Sequence, residues 1–210
     1  MVERSELNKA VRHLRRRDST MARLIEIEGK CRFDEAQHNA SFAALTRSIV
    51  FQQLSSKAAA TIYKRFVATL GRRQPNPRSI LDADPEALRA AGLSRQKAAY
   101  IIDLAAKMDS GALSLRRLRF LDDEAVIDEL TQVKGVGRWT AQMFLMFHLG
   151  RLDVLPLGDL GIRSGFRDAY GLGDLPGNET MERIAAPWSP YRSIGSWYLW
   201  RAQDAVAVSA

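Results

Sequence analysis

"VKGVGRWTAQMF", residues 133–144, places two glycines two residues apart just before an amphipathic helical pattern. A tight connection between two helices needs backbone that tolerates positive φ, and glycine does so without steric cost. The missing side chains also let another backbone come close. Val133 and Val136 are apolar where a packed corner needs them, and Ala141, Phe144, Leu145 and Leu149 give the following helix a face to bury. The turn opens a helix, so its first backbone N–H groups lack intrahelical partners. Aided by the helix dipole, such groups can hold a phosphate. Lys134 and Arg138 flank them with positive charge. The run Lys134, Gly135, Val136, Gly137 and Arg138 therefore reads as an element that grips a nucleic-acid backbone and does not read its sequence. Gly-x-Gly alone also fits an ordinary helical corner, so the rest of the chain has to decide.

The composition favours the first reading. The chain has 210 residues, 46% hydrophobic and 26% charged, enough to bury a core without covalent staples. Its formal charge is +7 and its pI about 9.8, a balance that suits a polyanionic partner. "MVERSELNKAVRHLRRR", residues 1–17, carries six Lys/Arg against two Glu, a net +4, which a solvated helical face or a frayed terminus would also explain. The single cysteine, Cys31, excludes an intramolecular disulfide framework, a four-cysteine iron–sulfur cluster and a multi-thiolate zinc site. The three histidines show no ligand spacing, so no metal site built from side chains and no cofactor are expected. No apolar run approaches the length of a membrane span and no secretion signal opens the chain, so a cytoplasmic, nucleoid-associated protein is expected.

Along the chain the periodic signals are helical. "SFAALTRSIV" (41–50) is one helix, and "QQLSS" breaks it from the next, where Ala59, Ile62, Tyr63, Phe66, Val67 and Leu70 recur at three- and four-residue spacing. Ser55 or Ser56 caps that helix and Gly71 ends it, and "RRQPNPRS" reads as a loop by its prolines. Asp84–Pro85 starts a short helix to Gly92, Ser94 starts one to about Met108, and "DDEAVIDELTQV" is another. After the glycine turn a helix runs from Arg138 to Leu149. Pro156 and Gly158 keep "LDVLPLGD" from being helical throughout, Leu160–Tyr170 is helical, and Ser189–Pro190 marks the start of a last helix to about Val208. No convincing strand alternation is present. The reading is an all-α protein in two helical lobes.

"VKGVGRWTAQMF" followed by "DVLPLGDLGIR" (153–163) resembles the helix–hairpin–helix DNA glycosylases, in their alkylation-repair 3-methyladenine branch. "RSIVFQQLSSKAAATI", "AGLSRQKAAYI" and "YRSIGSWYLWRA" are similar to stretches of the same branch, so the likeness spans roughly residues 18–205. Two departures are visible. Family hairpins often carry proline where this chain has Lys134, and some members have an N-terminal β-rich subdomain that no pattern here supports. The resemblance implies one glycosylase fold over residues 1–210, with a central helical lobe at 41–150, a second lobe from 1–40 and 151–210, and an active-site cleft between them. It implies a monomer acting on double-stranded DNA that contains alkylated bases.

The implied chemistry is hydrolysis of an N-glycosidic bond after the base is flipped out of the duplex. An aromatic pocket stacks on the base, and a cationic alkylated base gains further from a π-face. Cleavage builds positive charge on the sugar, which a carboxylate stabilises. The family's catalytic aspartate falls on Asp159, which read alone would be only a helix N-cap; Asp153 in the same loop is the decoy. Trp139 stands where the lyase members carry the lysine that attacks the sugar. An indole cannot form a Schiff base, so the enzyme is expected to be monofunctional and to use water. Trp139, Met143, Leu160 and Trp200 match base-pocket positions, while Trp197 and Tyr198 suit the core. "FQQLSS" resembles the loop that fills the vacated stack, with Gln53 the first choice for the wedge and Leu54 the second. Two other readings stand beside this one. A non-catalytic helix–hairpin–helix module needs the hairpin but not Asp159, and a bifunctional glycosylase/lyase for oxidised bases is opposed by Trp139 and by the absence of cluster cysteines. 3-Methyladenine, 7-methylguanine, hypoxanthine and ethenoadenine are not ranked.

Overall fold

Side-chain caps fix where most of the helices begin. A computed structural model of the chain describes residues 2–35, 40–71 and 74–209, with side chains as far as Gln203 in the last helix. All regular structure among these residues is helical: α1 (Arg4–Arg17), α2 (Ser19–Glu28), α3 (Phe42–Phe51), α4 (Ser56–Thr69), α5 (Pro77–Leu81), α6 (Pro85–Ala90), α7 (Arg95–Asp109), α8 (Leu115–Leu118), α9 (Asp123–Thr131), α10 (Arg138–Phe144), α11 (Leu160–Tyr170), α12 (Asn178–Ala185) and α13 (Arg192–Ser209). Ser41, Ser55, Asp84, Ser94 and Asp122 each accept a backbone N–H in the first turn of the helix that follows. Each such cap contributes about 1 kcal/mol. No helix among the described residues is long and apolar enough to cross a membrane.

The chain divides into two compact units, Asn39–Phe144 and Met1–His38 with Leu145–Ala210. In the first, α3, α5 and α6 all pack against α7, and α9 packs against α10. Ile49, Phe66, Leu88, Ile101, Leu104 and Leu130 are fully buried there. In the second, α1, α2 and α11 gather around α13. Phe166 stacks on Trp188 at 5.2 Å, and the Trp188 indole N–H donates to Asp18 at 2.8 Å. A Cβ on Gly165 would lie 2.9 Å from the Leu199 Cβ, so the glycine is what allows α11 to approach α13 this closely.

Four sequence expectations change. "RRQPNPRS" is not loop throughout: Asn76 and Ser79 form a capping box and Pro77 opens α5, because proline at the first helical position gives up only an N–H that would be unpaired anyway. Residues 72–73 of that stretch lie outside the described residues. The basic N-terminal stretch is no frayed tail: Leu7, Ala10 and Leu14 bury one stripe of α1, while Arg15, Arg16 and Arg17 stay exposed in its last turn, where they suit the helix dipole. The last helix begins at Arg192, not at Ser189–Pro190. Its first-turn N–H is accepted from far away by Asp153, at 3.1 Å from the Arg192 nitrogen. The helix expected from Arg138 to Leu149 is α-helical only to Phe144; Leu145–Leu149 forms a π-helical turn, closed by Gly150 at φ 72.

Candidate active site and DNA-contacting surface

Asp159 sits at the end of the loop that follows Gly150, as the N-cap of α11. Its Oδ1 accepts the Ile162 N–H at 2.8 Å and the Trp200 indole N–H at 2.9 Å. The capping role foreseen as the bland alternative is thus real, and it comes with a second fixed donor that a cap does not require. A Cβ on Gly161 would lie 3.1 Å from that same oxygen and 3.1 Å from the Trp200 ring, so the glycine keeps the contact open. The Trp200 ring lies 6.0 Å from Phe147, which in turn lies 5.4 Å from Phe33. Trp200 therefore meets the carboxylate through its N–H and an aromatic row through its ring. Leu160, next to Asp159, is 64% exposed, whereas Trp197 and Tyr198 are buried.

Asp153 is committed elsewhere. It accepts the Arg192 guanidinium at 2.8 and 2.9 Å, the Arg192 N–H and the Ser189 hydroxyl. Burial alone would raise its carboxyl, but the Arg192 and Ser189 donors more than offset this and hold it below the usual carboxylate range. Ser193 adds three more bonds to the same loop: its N–H donates to Leu152, its hydroxyl to Arg151 at 2.8 Å, and its hydroxyl oxygen accepts the Val154 N–H at 2.9 Å.

In the other unit, the hairpin turn runs from Val133 to Gly137. Val133 and Val136 are buried, and the Val136 N–H closes the turn on the Val133 carbonyl at 3.0 Å. Gly135 has φ 78, and a Cβ there would fall 2.0 Å from the Tyr100 ring, so both the backbone angle and the space demand glycine. Gly137 differs: its φ is not positive, and a Cβ would meet nothing within 4 Å. Nothing inside the protein asks for glycine there. The N–H groups of Gly135 and Gly137 have no partner among the described residues, whereas the Lys134 N–H is taken by Asp103 at 2.9 Å. The Arg138 guanidinium bonds Glu124 at 2.9 and 2.5 Å, so its charge is already matched by a carboxylate. Trp139 is 46% exposed and, with Met143, Gly135, Gly137 and Gln53, lines a groove of about 640 Å³. Gln53 is exposed with φ 55, left-handed for a non-glycine residue, and Leu54 beside it is 40% exposed.

The profile of the HhH-GPD superfamily base excision DNA repair proteins matches residues 46–190. The chain belongs to this superfamily. It is 36% identical over 200 residues to DNA-3-methyladenine glycosylase 1 of Schizosaccharomyces pombe, covering 94% of this chain and 88% of that one. The structure of the S. pombe 3-methyladenine DNA glycosylase in complex with abasic DNA superposes with a TM-score of 0.80 at 34% identity, covering 93% of this chain and 97% of that one. A DNA-3-methyladenine glycosidase of Bacillus halodurans superposes with a TM-score of 0.83 at 37% identity, covering 95% and 91%. The likeness to the alkylation-repair branch drawn from the sequence is the likeness found here.

Within this helix–hairpin–helix protein, sequence reasoning missed a group of residues that organise the hairpin and the "FQQLSS" loop. Lys97 donates to the carbonyls of Val50 and Gln52 at 2.7 and 2.6 Å, and Gln52 Nε2 donates to the Gly135 carbonyl at 2.9 Å. Burial lowers the Lys97 ammonium below the usual lysine range. The available signal was spacing: Lys97, Tyr100, Asp103 and Lys107 recur every three or four residues along α7.

Proposed function

We propose that this protein is a monofunctional DNA glycosylase that removes alkylated purines, of the 3-methyladenine or 7-methylguanine type, from double-stranded DNA as the first step of base excision repair. The observation that carries the proposal is Asp159, a carboxylate fixed by a backbone N–H and an indole N–H, in a chain similar to 3-methyladenine glycosylases along nearly its whole length. The lesion is extruded from the stack, with Gln53 or Leu54 filling the gap. The base enters against aromatic and apolar faces supplied by Trp139, Met143, Leu160 and Trp200. As the C1′–N bond breaks, its electron pair leaves with the base and the sugar becomes oxocarbenium-like. The ionised Asp159 stabilises that positive charge. Water adds to C1′, and its proton passes to Asp159 or to solvent. A base made cationic by alkylation leaves as a neutral molecule, so no strong general acid is required.

Trp139 in place of a nucleophilic lysine sets the chemical test. Incubation with methylated duplex DNA should release free methylated purines and leave intact abasic strands. Borohydride should trap no covalent protein–DNA adduct. An adduct formed in step with strand cleavage would make the protein a lyase, and failure to release any base while binding DNA would make it a binding module.

The hairpin's share is affinity. Lys134→Ala should weaken duplex binding to the same extent for every lesion and reduce the slope of log Kd against log salt by about one ion. Arg138→Ala should do less, because Glu124 already balances that guanidinium. Fluorescence anisotropy over a salt series reads both. A loss confined to one lesion would remove the phosphate role.

A further inference from the structure

We infer that helix α7 is the frame that registers the hairpin against the base-extruding loop, with Lys97 as the positioning residue at its end. The inference rests on the reading of Gln53 and Leu54 as the wedge. Its ground is a stripe of contacts along one helix face. At the first position, the Lys97 ammonium donates to Val50 O at 2.7 Å and to Gln52 O at 2.6 Å. Those carbonyls lie at and just beyond the C-terminal end of α3, where helical carbonyls lack intrahelical donors. Two charge-assisted bonds from one cation fix both, and positive charge there also suits the helix dipole. No carboxylate pairs with Lys97 among the described residues, so its charge serves these two oxygens. The next residue, Gln53, holds φ 55, an angle that a non-glycine side chain keeps only where its surroundings fix it.

One turn further along α7, the Tyr100 ring closes over the α-carbon of Gly135. A turn beyond that, the Asp103 carboxylate accepts the Lys134 N–H at 2.9 Å and is steadied by Lys107 at 3.0 Å. Gln52 completes the circuit with its 2.9 Å bond to the Gly135 carbonyl. One helix thus holds the base of the loop near its N-terminus and, one and two turns further on, the hairpin turn. A loop that pushes a base out of the stack needs a fixed point to push from, and α7 supplies it. Lys97 acts through the loop and touches no reacting atom.

The test is single-turnover excision of the methylated purine that the unaltered protein releases fastest. It is placed opposite its normal partner in one duplex and opposite an abasic-site analogue in another, where extrusion is easier. Lys97→Met is expected to slow the paired substrate by about tenfold and the unpaired one by less than about twofold, because only the first needs the full extrusion step. Lys97→Arg should recover most of the loss. Adding Lys97→Met to Gln53→Ala/Leu54→Ala should cost less than about a further twofold, since both changes act on one step. If Gln53→Ala/Leu54→Ala is selective for the paired substrate but Lys97→Met slows both equally, the frame is wrong and the wedge stands. If Gln53→Ala/Leu54→Ala is itself unselective, the wedge reading fails and this inference with it. Should Lys97→Met not fold by circular dichroism, Gln52→Leu replaces it. That change cuts the ties of the Gln52 amide to the Gly135 carbonyl and the Thr140 hydroxyl, leaves the Lys97 bonds in place, and is expected to give the same paired-selective slowing; equal slowing on both substrates would overturn the inference.

Discussion

Asp159→Asn should fold, bind damaged duplex and admit the base, yet excise it roughly 100-fold more slowly or worse. The geometry lets the substitution keep both hydrogen bonds while removing the charge. Asp159 Oδ1 accepts from Ile162 and from Trp200, and the carbonyl oxygen of asparagine can accept from the same two donors. The cap on α11 and the indole contact therefore survive. The negative charge proposed to face the sugar is lost, and a preorganised electrostatic contribution of this kind is worth about 3 kcal/mol. Single-turnover base release gives the rate, while a thermal melt and the Kd for abasic DNA confirm that folding and binding are intact. If Asp159 were only a cap, rate and melt would both be nearly unchanged. Asp153→Asn is the control. It weakens the grip on Arg192 and should lower the melting temperature, but below that temperature excision should stay close to normal. The reverse pattern, with Asp153→Asn inactive and Asp159→Asn active, would mean that the carboxylates have been assigned the wrong way round.

Gly135→Ala should cost about 3 kcal/mol of stability. Positive φ is unfavourable for alanine by roughly 1–2 kcal/mol. The new Cβ would also sit 2.0 Å from the Tyr100 ring, which must move. Overpacking of this kind adds about 1–3 kcal/mol. For a chain of this size that lowers Tm by roughly 6–12 °C. Tyr100→Ala in the same molecule should relieve the clash but not the backbone angle, so the two changes together should be less costly than their sum. Gly137→Ala is the informative contrast. Its φ is not positive and its Cβ would meet nothing in the protein, so stability should shift by less than about 1 kcal/mol. Duplex affinity should nevertheless fall if the hairpin grips a phosphate as proposed, because the methyl group would stand in the space beside the unpaired N–H groups. A Gly137→Ala protein with unchanged Kd would leave that glycine without a role.

The helices and the hairpin were legible in the sequence because their signals are local. Ser41, Ser55, Asp84 and Ser94 each cap within three residues of themselves, and Gly135 needs its angle where it stands. What was not legible is contact between distant positions. Local signals put the start of α13 at Ser189–Pro190, whereas the acceptor of its first-turn N–H, Asp153, lies 39 residues away. Local sequence shows Arg138 only as a cation beside the turn, because Glu124, its partner, belongs to the preceding helix. Lys97 carries no local signal, because an isolated lysine on a helix usually faces water, and only the fold shows the carbonyls it reaches. Asp159 is the intermediate case. The residue came from resemblance to a family, its capping from local rules, and its indole partner only from the structure.

The loop bearing Asp159 is tied to α13 at two places, near its start by Asp153 and Ser193 to the first turn, and at its end by the Trp200 indole. Eight residues separate Arg192 from Trp200, and at 1.5 Å per residue that fixes the two ties about 12 Å apart. The carboxylate thus inherits the stiffness of a helix although it stands on irregular backbone. The intervening backbone adds a local hold of its own, since the Pro156 carbonyl accepts the Asp159 N–H at 3.0 Å and Leu155 and Pro156 are buried. A change elsewhere in the loop that spares Asp153, Pro156, Ser193 and Trp200 should therefore leave the position of Asp159 unaltered.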